Sequence, residues 1–321
     1  MRARLFVVLL LGGLGLLTAC GGWFGKGARG LLRDDQLGPL VELVPVGPAW
    51  LVQARPRLLA EQQAALSLWR ALVSEERERA LADRTGIDPR AIEELVGFEL
   101  PENGYVLLVR GPFDATEVVI RAGERLALRD VMTDQPLTRR EGLAGKGRYA
   151  YAALAEHTVL IAKEASPALI AQILARRAHP PEAGMLSGAD ARALLAEHAA
   201  SPLALFSPNP LALEPGTNVA LLFARERALA VSVRATHAAL AVGIDLRGEF
   251  PPGAENNFRA LAKSLASAQL GRALGLSRVP ESMAIRVDQQ GAYVTFALAA
   301  EELVAGVRML FFDDLRVLFG S

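Results

Sequence analysis

Cysteine is the residue that this chain almost lacks, since its 321 residues contain only one, Cys20. A single cysteine excludes an intrachain disulfide, so the folded part of the protein depends on its hydrophobic core. The chain also lacks net charge, because 35 lysines and arginines balance 35 aspartates and glutamates. Such a chain has no general electrostatic attraction to nucleic acid, and we expect no nucleic-acid partner.

Local motifs for catalysis or metal binding are equally scarce. No P-loop and no Gly-x-Ser-x-Gly elbow occurs. The four histidines, His157, His179, His198 and His237, do not pair at His-x-x-x-His spacing. From local spacing alone, the sequence predicts no catalytic residue, no metal site and no cofactor. It leaves open that carboxylates distant in the chain converge in space.

What the chain does contain begins at its N-terminus. Arg2 and Arg4 precede an uncharged, mostly apolar run from Leu5 to Ala19. A helix of this length spans about 22 Å, which is short of the ~30 Å hydrocarbon core of a bilayer. The run is therefore typical of the apolar region of a secretory signal and not of a membrane-spanning helix.

The end of this run carries a recognisable motif. The sequence Leu17-Thr18-Ala19-Cys20-Gly21 places a branched apolar residue and two small residues before the cysteine. It resembles the lipobox of bacterial lipoproteins, and the resemblance covers residues 1–22 only. It implies a signal peptide over residues 1–19, attachment of diacylglycerol to the Cys20 thiol, and acylation of the new amino terminus with fatty acids such as palmitate. Acyl chains of this kind hold a protein firmly on a bilayer.

The residues after the cysteine predict a location and a spacer. Residue 21 is glycine, whereas many lipoproteins retained at the inner membrane carry aspartate there, so the resemblance favours the outer membrane, on its periplasmic face or at the cell surface. Residues 20–39 are glycine-rich and lack clear periodicity, which predicts a lipidated cysteine followed by a flexible tether.

The remaining chain predicts an α+β body in two tandem modules, residues 40–180 and 187–321. Strand patterns come in adjacent pairs, such as 147–154 with 158–165 and 228–235 with 239–250. Paired strands favour antiparallel sheets with helices packed on one face, in a ferredoxin-like arrangement. Asp88 and Pro89 predict the start of a helix over 88–98, with Glu93 and Glu94 solvated in its early turns.

The two modules show a weak internal likeness. The sequence at 68–73 resembles that at 270–275, and 102–109 resembles 289–298, which places Tyr105 opposite Tyr293. A shared order of strand, turn and helix indicates duplication, although two unrelated modules of similar composition would also look alike. We recognise no known family for the body.

The C-terminal segment carries an apolar stripe at helical spacing. The residues of this stripe are Leu303, Val307, Leu310, Phe311, Leu315 and Leu318. One interpretation is a terminal helix packed in the core of the second module. The other is a surface helix that binds a partner or faces the membrane.

These observations predict a membrane-tethered lipoprotein whose body is a binding or structural module for an envelope partner. Two alternatives stay open at this stage. One is an envelope hydrolase whose site is assembled from distant residues, and the other is a lipid-handling module with a long apolar cavity.

Overall fold

The computed structural model of the protein describes residues 31–301 apart from internal segments. Those segments are residues 46–47, 49, 73–74, 100–103, 132–137, 145–146, 179–187, 209–221, 236–238, 269–271 and 273–275. Within the described part of the chain, no helix has the length and apolar character needed to cross a membrane. Cys20 and the C-terminal stripe Leu303–Leu318 lie outside the described residues.

The described chain is a mixture of helices and strands, as the sequence predicts. The helices are α1 (Asp34–Leu37), α2 (Pro56–Ala60), α3 (Gln63–Leu72), α4 (Glu75–Thr85), α5 (Ala115–Arg125), α6 (Pro167–Ala178), α7 (Ala189–His198), α8 (Ala254–Ser267) and α9 (Val279–Ser282). The strands are β1 (Trp50–Ala54), β2 (Glu94–Glu99), β3 (Tyr105–Arg110), β4 (Arg129–Asp130), β5 (Arg139–Ala144), β6 (Gly147–Ala155), β7 (Thr158–Lys163), β8 (Leu203–Ser207), β9 (Glu226–Ala235), β10 (Ala239–Gly248), β11 (Ala284–Val287) and β12 (Gly291–Ala299).

The chain divides into two compact units. Unit 1 runs to Arg57 and resumes after Leu72 as far as residue 185, and unit 2 comprises Leu58–Leu72 and the chain from residue 186 onward. The sequence places residues 58–72 in the first module, but the structure places them in unit 2. The reason is packing, because Ala64 at the start of α3 is buried in one cluster with Leu240, Val242 and Leu298.

Each unit contains antiparallel strands in a similar order. Unit 1 has the order β1-β2-β3-β7-β6-β5-β4, and unit 2 has the order β8-β9-β10-β12-β11. In both, the first strand pairs with the second. A ferredoxin-like module separates its first two strands by another strand, so that part of the prediction is wrong.

The segment 88–98 is the clearest departure from the sequence-based secondary structure. The Asp88 side chain accepts a hydrogen bond from the Arg90 backbone N–H, but only a short 3₁₀ turn follows before β2 begins at Glu94. β2 lies between β1 and β3 with both of its faces covered, and Val96 is fully buried. A strand buried on both faces has a continuous apolar run, and such a run does not distinguish a strand from a helix.

The body also begins earlier than the sequence predicts. The tether is predicted to extend to residue 39, but α1 already occupies Asp34–Leu37 and Leu37 is buried. Leu32 forms a parallel bridge to Ala155 at the end of β6. Residues 31–39 are therefore part of unit 1, to which the buried Leu37 and the bridge of Leu32 attach them.

Candidate functional site

Unit 2 brings a group of polar side chains together at the C-terminal end of α7. This helix packs on β8, β9 and β10, and Asp190 in its first turn pairs with Arg227 at 2.6 Å. His198 is the last residue of the helix, and Glu197 precedes it. The packing of α7 therefore carries one imidazole and one carboxylate onto β10.

Strand β10 contributes the opposite half of the group. Asp245 and Arg247 are two residues apart, so both side chains lie on the same face of the strand. Tyr293 of β12 is directly opposite Asp245 in the antiparallel register, which places it on that face as well. We call Glu197, His198, Asp245, Arg247 and Tyr293 the His198 cluster.

Distances show how closely the cluster is assembled. Asp245 Oδ2 lies 3.5 Å from His198 Nε2 and also 3.5 Å from the Nη2 atom of Arg247. The same Arg247 nitrogen donates a hydrogen bond to Glu197 Oε2, while Nη1 donates to the Tyr293 hydroxyl at 3.1 Å. Arg247 is therefore held by two carboxylates and a phenol.

Burial leaves several polar atoms of the cluster without partners. The Asp245 side chain is 9% exposed, and its Oδ1 atom has no hydrogen bond. Both ring nitrogens of His198 are also buried and without a hydrogen bond. Buried polar atoms are rarely left unsatisfied, because each costs about 1–3 kcal/mol. Glu197, with 49% of its side chain exposed, is the member of the cluster most open to solvent.

The electrostatics of the cluster are dominated by its carboxylates. Burial favours a lower pKa for Arg247, but the attraction of Asp245 and Glu197 outweighs it and the net pKa is raised above the ordinary arginine value. The guanidinium therefore stays charged. Two carboxylates against one guanidinium leave one negative charge in excess, which suits the uptake of a cation.

A second polar cluster lies in unit 1, where the N-terminal segment meets the sheet. The Arg110 side chain donates to the Gly38 carbonyl at 2.6 Å and to Glu94 Oε2 at 3.0 Å. Asp34 accepts a hydrogen bond from the His157 backbone N–H at 3.0 Å and another from the Thr158 hydroxyl. These contacts fasten residues 34–38 to the sheet, which makes the second cluster structural.

Glu94 gives this second cluster a testable pH dependence. Burial raises the pKa of Glu94 above its usual value of 4.5, and attraction to Arg110 opposes this only in part. A carboxyl whose pKa is raised by folding contributes its full stability below pH 4.5, and that contribution is lost as the pH rises through the folded-state pKa. We expect the free energy of unfolding of the wild type, relative to Glu94→Gln, to fall from pH 4.5 upward, measured by urea unfolding at pH 4, 5, 6 and 7. The matched control is Glu93→Gln, whose half-exposed carboxylate pairs with Arg57, and a pH-independent difference for Glu94→Gln would contradict the prediction.

The remaining histidines of the sequence analysis have different outcomes. His157 lies in the turn between β6 and β7, as predicted, and its Nδ1 is 2.8 Å from the Phe113 carbonyl oxygen. His179 and His237 lie outside the described residues.

Asp245 and Arg247 are absent from the sequence prediction, although one signal was available. Two charges with a spacing of two in the apolar run "AVGIDLRG" predict a charged stripe on one strand face.

Comparison with known proteins gives structural likeness only. No known protein family and no curated protein matches the sequence. Crystal form IV of TP0453 is similar in structure, with a TM-score of 0.51 and 12% identity over 84% of this chain and 96% of that chain. Crystal forms III and I of TP0453 align over 84% of this chain, with TM-scores of 0.49 and 0.48, identities of 11% and 13%, and coverage of 98% and 96% of those chains. The described α+β fold is therefore one that a solved protein shares.

Proposed function

We propose that the protein is an exported lipoprotein, anchored through Cys20, whose body is a binding or structural module for an envelope partner. The observation that carries the proposal is the lipobox-like sequence ending at Cys20, which a positively charged start and an apolar run precede. The described fold begins at residue 31, eleven residues beyond the proposed anchor.

The place where the chain enters the body is fixed. Besides its bridge to Ala155, Leu32 accepts a hydrogen bond from the Glu156 backbone N–H at 3.0 Å. Asp34 then binds the backbone of His157, in the same turn. An anchor at Cys20 therefore connects to the end of unit 1 that carries the β6–β7 turn.

The length of the connection limits where a partner is met. Eleven residues lie between Cys20 and Leu32, and a fully extended chain over these twelve steps spans about 40 Å. The β6–β7 turn is thus held within about 40 Å of the membrane surface. By the lipoprotein resemblance, Gly21 favours the outer membrane, so the proposed partner is a component of that membrane or of the adjacent envelope.

Lipidation is tested by mass spectrometry of the protein purified from membranes of its native host. We expect a mature N-terminal peptide that begins at Cys20 and carries a diacylglycerol and an amide-linked fatty acid. The Cys20→Ser variant is expected to retain residues 1–19, because the thiol is the site of lipid attachment. An intact Met1 with an unmodified thiol in the wild type would contradict the proposal.

The binding part of the proposal has its own test. Cross-linking in intact cells is expected to join the lipidated wild type to the same envelope component in independent experiments. The Cys20→Ser variant, no longer delivered to the membrane, is expected to lose that product. A lipidated protein that yields no reproducible product would contradict the binding function and leave the anchor standing.

The hydrolase alternative receives less support from the described residues. The His198 cluster does assemble an imidazole and carboxylates from distant positions. A general base must lie within hydrogen-bonding reach of the substrate, however, and both His198 ring nitrogens are buried. The cluster is better suited to a small cation than to a substrate.

We also propose that the two units arose by duplication, with a correspondence different from the one the sequence suggests. The order β1-β2-β3-β7-β6 in unit 1 matches β8-β9-β10-β12-β11 in unit 2, and a helix precedes the last two strands of each set. This order pairs β3 with β10 and β7 with β12. Tyr105 of β3 and Tyr293 of β12 then occupy different positions of the repeat.

A further inference from the structure

We propose that the His198 cluster binds one divalent first-row transition metal ion, Zn²⁺ in the first instance. Its ligands are one atom each from Glu197, His198 and Asp245, and these atoms all lie within 4.8 Å of one another. Nothing in this inference depends on the lipid anchor.

The donor set fits this class of ion. Imidazole nitrogen and carboxylate oxygen are both ligands that Zn²⁺ takes in proteins, and three protein ligands leave a fourth position for water. Imidazole distinguishes such ions from Mg²⁺ and Ca²⁺, which prefer an all-oxygen shell.

A second, independent observation also favours cation binding at this cluster. Asp245 Oδ1 and both ring nitrogens of His198 are buried and have no hydrogen-bond partner. Asp245 comes from the middle of β10 and His198 from the end of α7, yet these unsatisfied atoms belong to neighbouring side chains. A bound cation satisfies a carboxylate oxygen and an imidazole nitrogen together.

Arg247 fits as the partner that orients the carboxylates. It contacts the Oδ2 atom of Asp245 and the Oε2 atom of Glu197, which leaves the second oxygen of each carboxylate available. Metal-bound carboxylates are commonly held by such outer hydrogen bonds. The cluster changes from one excess negative charge to one excess positive charge when the ion binds.

Closure around the ion requires a small movement. Ligands at 2.0–2.2 Å in a tetrahedral shell are about 3.4 Å apart, which is shorter than the 4.8 Å limit observed. Glu197 is able to supply that movement, because its side chain is half exposed at a helix end. The exposed side of Glu197 is also the route by which the ion enters.

The test titrates Zn²⁺ alone into the full chain by calorimetry, with Cys20→Ser in every protein so that no thiol binds the metal. We expect one equivalent to bind, and His198→Gln, Asp245→Asn and Glu197→Gln each to weaken binding at least tenfold. The matched controls are His157→Gln, in the β6–β7 turn, and Glu249→Gln, an exposed carboxylate of unit 2 paired with Arg225. Both controls are expected to bind Zn²⁺ as tightly as the parent protein.

A second measurement needs no substitution in the cluster, so it holds even if a variant misfolds. In the protein with ¹⁵N-labelled histidine, one imidazole is expected to change its ring-nitrogen shifts when one equivalent of Zn²⁺ is added. The proposal is overturned if no ring responds, if His198→Gln binds as the parent does, or if Mg²⁺ and Zn²⁺ bind equally well.

Discussion

Replacing Arg247 with methionine is expected to lower the free energy of unfolding by about 3 kcal/mol, which is the lower end of the cost of breaking a buried ion pair. The guanidinium is almost fully buried and contacts both Asp245 and Glu197. Without it, Asp245 is left as a buried carboxylate with no positive neighbour in the cluster. Glu197 loses less stabilisation when Arg247 is replaced, because water reaches its side chain. Urea unfolding monitored by circular dichroism measures the change.

Two further variants test this explanation. Adding Asp245→Asn to the Arg247→Met chain is expected to recover part of the lost stability, since it removes the uncompensated charge. Arg225 pairs with Glu249 in the same unit but is 73% exposed, so Arg225→Met is expected to cost less than 1 kcal/mol. If Arg247→Met proves as mild as Arg225→Met, the cluster does not contribute to stability as we infer.

Leu160→Ala is expected to destabilise unit 1 by about 3–5 kcal/mol. Leu160 has no exposed surface and lies in β7, between β3 and β6, opposite Leu108 of β3. The substitution removes buried methyl groups and leaves a cavity that a strand paired on both edges cannot easily close. Each kcal/mol corresponds to roughly 2–4 °C in Tm for a domain of this size. Thermal unfolding therefore reports the effect as a large fall in Tm.

Leu143 provides the matched control for this prediction. It is the same residue type in another strand of unit 1, β5, but it is 77% exposed. Leu143→Ala removes the same atoms without leaving a cavity, and we expect a change of no more than about 0.5 kcal/mol. Equal effects of the two substitutions would show that burial in this sheet does not determine stability.

The local parts of the fold were predictable because their signals are local. Asp114 accepts a hydrogen bond from the Glu117 backbone N–H at the start of α5, and Ser166 accepts one from Leu169 at the start of α6. The β6–β7 and β9–β10 hairpins likewise follow from alternating strands separated by short turns. Each of these features is decided by residues that are close together in the chain.

The features that sequence reasoning missed are decided by distant partners. Glu94 looks like a solvated residue in the first turn of a helix, yet it starts a buried strand because β1 and β3 lie on either side of β2. Leu37 looks like part of a tether until the core of unit 1 accepts its side chain. The residues adjacent in sequence to Glu94 and to Leu37 do not show which distant strands or side chains will surround them.

The His198 cluster shows the same limit at a candidate site. A search for metal ligands by local spacing finds no second donor close to His198 at a metal-binding interval. Its carboxylate neighbour Asp245 is far along the chain and is brought close only when α7 packs across β9 and β10. Charged residues at alternate positions of an apolar strand are the signal that identifies such a position from sequence.

The division of residues 58–72 from their neighbours in the chain has a consequence for how the protein acquires its structure. Ala64 leaves the ribosome long before Leu240 and Leu298, with which it shares a core. Unit 2 therefore cannot complete its core until β12 has been synthesised. Contacts between such distant segments are slow to form and leave apolar surface uncovered while they are awaited. The early helix α3 thus waits for most of the chain to be synthesised before its apolar residue Ala64 is covered, and during that time it is exposed to non-native association.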